Sequence, residues 1–101
     1  MEKRRPHYSL KEIKAAFADP IKLNRSVTSK QGADELGMDD EEVVTVIQAL
    51  KAADFDKSMT SDADHTIWQD VYRATHGDRT IYVKFTVDSL KALYLISFKE
   101  A

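Results

Sequence analysis

After Ala53 the apolar residues of this chain change their period, and that switch limits what it can fold into. Before Ala53 they recur every three or four positions; after it they alternate. Helical segments followed by strands with short turns predict an α+β fold, one antiparallel β-sheet with helices packed on one face. A chain of 101 residues holds one core rather than two, so residues 1–101 are expected to form a single domain.

In the first half, Ser9 and Glu12 have capping-box spacing, and Leu10, Ile13 and Phe17 recur on one helical face. Asp19-Pro20 should end that helix, because the residue before proline disfavours helical geometry. Ile21 to Thr28 alternates loosely and reads as a short strand or an extended connector. Ala33 to Leu36 reads as a helical turn stopped by Gly37. Asp39 with Glu42 marks a second start, and Val43, Val46, Ile47 and Leu50 form a core-facing stripe. The acids at 39–42 suit a helix N-terminus and lack calcium-loop spacing.

The second half predicts four strands, roughly 54–60, 65–73, 80–87 and 91–98, with turns at Ser61–Asp64, Thr75–Arg79 and Asp88–Ser89. Alternation sorts their side chains. Ile81, Val83, Phe85 and Val87 point to the core; Tyr82, Lys84 and Thr86 point away. Ile67, Gln69 and Val71 share one face of their strand; Trp68, Asp70 and Tyr72 share the other. Lys57 and Met59 are placed on the face of Phe55.

Composition narrows the function classes. There is no cysteine, so disulfides and cysteine–zinc sites are excluded. No apolar run approaches transmembrane length and no signal-peptide apolar region follows the basic start, so a cytoplasmic protein with no membrane partner is expected. The net charge of −2 hides a segregation. Residues 1–30 carry a net +5, residues 31–50 a net −6 and residues 51–101 a net −1. Such a balance gives no long-range attraction to nucleic acid. The Lys3-Arg4-Arg5 cluster reads either as a phosphate contact or as a solvated tail.

The polar groups of residues 55–72 are more numerous than a stability-driven hairpin needs. Lys57 reads as an edge-guarding lysine or a phosphate-facing cation. Met59 reads as core filler. Gln69, between two apolar neighbours, is a core hydrogen-bonder or a cleft liner. Trp68 reads as a packing residue, with base stacking as the sharper alternative. Tyr82 and Lys84 make a phenol and an ammonium on one open strand face. His7, His65 and His76 lack metal-ligand spacing, and no nucleophile-elbow motif surrounds Ser58 or Ser97.

This set permits RNA cleavage without a cofactor or metal, because the 2′-hydroxyl of RNA is its own nucleophile. Lysine suits charge stabilisation at phosphorus, and glutamine suits positioning. A free phenol ionises near ~10, so a tyrosine acting as a base needs a cation alongside.

Four segments carry a more specific signal: KSMT at Lys57–Thr60, DHTIWQDVYR at Asp64–Arg73, YVKF at Tyr82–Phe85 and LISFKE at Leu95–Glu100. With Met1-Glu2-Lys3-Arg4, Pro6-His7 and ADELG at Ala33–Gly37, they make the chain resemble the motility quorum-sensing regulator toxin family along nearly its whole length. That resemblance implies a RelE-like toxin fold and a ribosome-independent endoribonuclease of a type II toxin–antitoxin pair. The expected substrate is mRNA cut at short GC-containing sites. The family's catalytic lysine, glutamine and tyrosine fall on Lys57, Gln69 and Tyr82, and Met59 and Lys99 fall on substrate-contacting positions. The implied partner is a zinc-containing helix-turn-helix antitoxin. Operator DNA is expected to be bound only through that complex, since no recognition helix is apparent here. Two departures stand out: the overall charge is acidic, and the loop ATHGDR at Ala74–Arg79 differs from the usual sequence before the tyrosine strand.

A non-catalytic RNA-binding module using Tyr82 and Trp68 as stacking platforms is the alternative. A domain that binds only another protein is a third possibility.

Overall fold

The computed structural model describes residues 1–101. Its strands are β1 (Glu2–Lys3), β2 (Phe55–Thr60), β3 (Trp68–His76), β4 (Arg79–Val87) and β5 (Leu93–Glu100). They form one antiparallel sheet in the order β1-β2-β3-β4-β5. The helices are α1 (Leu10–Ala16), α2 (Val27–Glu35) and α3 (Asp40–Gln48). The expected α+β architecture, with helices on one face of an antiparallel sheet, is what the chain adopts.

Local chemistry accounts for most helix ends. The Ser9 side chain accepts from the Glu12 amide and starts α1. At its other end Gln48 Nε2 donates to the carbonyls of Lys14 and Phe17, taking up acceptors that a helix C-terminus leaves open. Asp39 and Glu42 form the full reciprocal capping box of α3. Gly37 has φ +69, the left-handed geometry that a glycine after a helix supplies freely.

The expected strand or connector over 21–28 is extended only in its middle, where Arg25 bridges Leu95 of β5 and Ser26 N–H donates to the Leu95 carbonyl; α2 takes over from Val27. Residues Pro20–Lys22 form a 3-10 turn, and Ser26 caps α2 by accepting from the Ser29 amide. The buried residues of α2 are Ser29 and Ala33, so no large apolar stripe marks it. Small residues let α2 lie close to β5: a Cβ at Gly32 would overlap the carbonyl oxygen of Phe98.

The core gathers Ile13 of α1 with Phe17 just after it, Ala33 of α2 and Val43, Val46 and Ile47 of α3, with Leu50 beyond it. These pack on Tyr72, Ala74, Ile81, Val83, Phe85, Leu95 and Phe98 of the sheet. Val87, expected in this row, is only half-buried at the end of β4.

Strand ends differ from the expectation by a few residues. β3 runs from Trp68 to His76 rather than over 65–73. Only Gly77 and Asp78 separate it from β4, and Gly77 at φ +63 sits at the first central position, as a type II′ hairpin requires. The ATHGDR segment is therefore mostly strand. β5 runs to Glu100, beyond the expected end at 98.

The N-terminal residues are not a free tail. β1 pairs Glu2 with Met59 and Lys3 with Ser58. The segment after it is anchored by Asp70, which is fully buried and accepts from the His7 amide, the Tyr8 amide and the Ser58 hydroxyl.

Candidate active site

The second face of the sheet carries no helix, and its side chains follow from the register. Lys57 pairs with Val71, and Val71 with Lys84, so these form one cross-strand row. Arg73, Tyr82 and Lys99 form the adjacent row. Met59 and Gln69 pair on the other side of Lys57 and Val71. Neighbouring strands lie ~4.8 Å apart and successive same-face residues ~6.7 Å apart, so these groups share a compact patch.

A cavity of about 200 Å³ opens in this patch, lined by Asp56, Lys57, Met59, Val71, Tyr82, Lys84 and Lys99. Val71 is 3% exposed and floors it. An apolar floor beneath long cationic side chains keeps their stems dry and their ammonium groups outward. In the folded chain charge sorts by face rather than by sequence segment. Lys57, Lys84, Lys99 and Arg73 outnumber Asp56 and Glu2 on this face, whereas Asp39, Asp40, Glu41 and Glu42 are exposed at the start of α3, in the helical layer. The net acidity therefore does not describe the surface that carries the cavity.

A family model described as "Motility quorum-sensing regulator, toxin of MqsA" matches residues 5–100. The chain belongs to that toxin family. It is 44% identical over 101 residues to the mRNA interferase toxin MqsR of Escherichia coli strain K12, covering 99% of each chain.

Of the residues singled out for this toxin family, Lys57, Tyr82, Met59 and Lys99 come together in the cavity. Gln69 does not line it; it lies at its end, opposite Met59. Gln69 keeps its expected row with Val71, and the register puts that row on the same face as Tyr82. The open face simply includes Val71. The placement of Lys57 and Met59 on the face of Phe55 is overturned. A bulge between Phe55 and Lys57 shifts the register. Phe55 turns to the core, edge-on to Tyr72 at 5.5 Å, and Lys57 turns to the open face.

Trp68 is not a stacking platform beside Tyr82. It shares strand parity with the buried Asp70 and Tyr72, and it is half-buried. His7 stacks on it at 5.5 Å, and the Lys3 ammonium lies 4.2 Å from its ring centroid. His7 is held below the ordinary histidine range, mainly by desolvation and then by the Lys3 charge. Ser58 is buried against Asp70 and meets no histidine. His65 is exposed in the loop before β3, and no three His, Cys, Asp or Glu side chains gather as a metal-holding group.

Two neighbours of Lys57 were missed by sequence reasoning. Glu2 reaches across from β1, with its carboxylate 3.6 Å from the Lys57 ammonium. Asp56 enters the cavity wall at the bulge. Neither position has a local sequence signal, since one depends on pairing across more than fifty residues and the other on a register shift.

Proposed function

We propose that this chain is the toxin of a type II toxin–antitoxin pair and cuts mRNA at short GC-containing sites, without a ribosome or a metal ion. Family membership makes it a toxin and an endoribonuclease. The finer specificity rests on the resemblance of its motifs. The observation that carries the chemical reading is the cavity in which Lys57, Tyr82, Lys84 and Lys99 converge over Val71.

Cleavage needs few parts. The ribose 2′-oxygen loses its proton and attacks the adjacent phosphorus. The bond from phosphorus to the 5′-oxygen breaks, and that oxygen takes up a proton. The products are a 2′,3′-cyclic phosphate and a 5′-hydroxyl. Lys57 stabilises the charge that builds on the phosphoryl oxygens. Tyr82 Oη carries one of the two protons. Gln69 orients the chain at the cavity end, and Met59 and Lys99 contact the RNA beside the cut. Glu2 holds Lys57 loosely: 3.6 Å is longer than a charge-assisted hydrogen bond, so an arriving phosphate displaces it readily.

The partner is an antitoxin with a zinc-bearing domain and a helix-turn-helix domain, docked by strand addition at an open sheet edge. Operator DNA is reached only through that complex.

Purified protein incubated with a defined RNA in EDTA tests the chemistry. Cyclic phosphate and 5′-hydroxyl ends are expected, and deoxyribose at the cut nucleotide should stop the reaction. Cutting that requires an added divalent ion, or cutting of the deoxy-substituted RNA, overturns this mechanism.

A further inference from the structure

We propose that Arg73 forms a second phosphate subsite, holding the RNA phosphate next to the one that is cut. The proposal rests on the reading of the cavity as an RNA site and deepens it.

Arg73 lies on the open face of β3, directly across from Tyr82 on β4. Its guanidinium sits over the Tyr82 ring, 5.3 Å from the centroid. Yet Arg73 does not line the cavity. It lies outside the cavity wall that Tyr82 provides, so the phosphate held at Lys57 is not the one it serves.

The other arginines placed by tertiary contacts have protein acceptors. Arg25 bonds Asp40 and Ser29, and Arg79 donates to the Leu36 carbonyl. The ion pairs of the molecule join Arg25 to Asp40, Lys30 to Asp34 and Lys57 to Glu2. Arg73 is in none of them. It is an exposed cation fixed by an aromatic ring instead of an acid.

That arrangement suits a phosphodiester. A cation–π contact takes up no N–H donor, and no protein acceptor takes those of Arg73, so they remain available in the fork geometry that matches two phosphate oxygens. It also holds a flexible side chain in place before the ligand arrives, which lowers the entropy lost on binding. Arg73 shares its cross-strand row with Lys99 through Tyr82. The Lys57–Val71–Lys84 row is one same-face step away, ~6.7 Å. Cations in two adjacent rows give a backbone a path across the sheet rather than a single anchoring point.

The test uses the full chain and short RNAs containing the GC site, with 2′-O-methyl ribose throughout so that they cannot be cut. A neutral methylphosphonate replaces one linkage at a time. For the wild type, neutralising one linkage beside the central phosphate should raise Kd about tenfold, the scale of one charge-assisted hydrogen bond. Arg73→Gln should bind about tenfold more weakly and lose nothing further at that linkage. Its slope of log K against log salt should fall by about 0.7. Arg73→Lys, which keeps the charge without the fork, should fall between. Wild-type binding by Arg73→Gln overturns the proposal. So does a variant that remains as sensitive as the wild type at every linkage. Failure of the toxin to cut RNA while it still binds these oligonucleotides would refute the catalytic reading and leave the subsite standing.

Discussion

Replacing Asp70 by asparagine should release the N-terminal segment from the sheet. The carboxylate is fully buried. It accepts from the Tyr8 amide at 2.8 Å, the His7 amide at 2.9 Å and the Ser58 hydroxyl at 2.6 Å. An asparagine can keep its carbonyl toward the two amides and turn its amide to Ser58, so the shape survives. The charge assistance does not. A hydrogen bond to a charged group contributes about 1.5–3 kcal/mol and a neutral one about 0.5–1.5, so three bonds lose roughly 3 kcal/mol together. Removing a buried charge returns part of that. A net loss of about 2 kcal/mol is expected, or about 10 °C in Tm for a chain of this size. Thermal melts and hydrogen exchange at the His7 and Tyr8 amides measure it. RNA cutting well below the new Tm should persist, because the cavity residues lie on β2 to β5. A Tm within about 2 °C of wild type, or unchanged protection of those amides, would mean that the Asp70 charge does not hold this segment.

Two further outcomes follow from other contacts. Glu2→Gln removes the carboxylate that competes for Lys57. At low salt it should tighten RNA binding by about two- to fivefold, the range of an exposed ion pair, and the gain should vanish as salt rises; weaker binding would mean that Glu2 supports Lys57 instead. The Tyr72 hydroxyl is buried without a partner, and burial pushes its pKa up to about 12. The unfolded chain then binds fewer protons than the folded one between about pH 10 and 12, so stability should fall across that window. Tyr72→Phe should flatten that fall in alkaline urea titrations at little cost at neutral pH; a retained alkaline slope would place its origin elsewhere.

What could be read from the sequence was local. The caps at Ser9 and Asp39, the Val43–Leu50 stripe and the alternation of β4 all rest on spacing within a few residues. α2 escaped because its packing surface is Ser29, Gly32 and Ala33, which periodicity of large apolar residues cannot detect. β1 escaped because two charged residues find their partner on a strand more than fifty residues away. The site was partly legible. Motif likeness named Lys57, Gln69 and Tyr82, and alternation gave the face of Tyr82 correctly. The bulge before Lys57 was not legible, and it alone decides that the lysine points to the open face. Val71 shows a limit of burial reasoning: an apolar residue between Gln69 and Arg73 is the dry floor of a cationic cavity, not part of the helix-facing core.

Lys57 supplies charge stabilisation to a metal-free cleavage of RNA in the proposed reaction. The decisive measurement maps cut ends on one defined RNA in EDTA, for wild type and Lys57→Ala at equal concentration. Loss of one such stabilising group is expected to slow cutting by about 10²–10³-fold, with the thermal melt within a few degrees of wild type. Unchanged cutting at the same positions by Lys57→Ala would remove Lys57 from the chemistry.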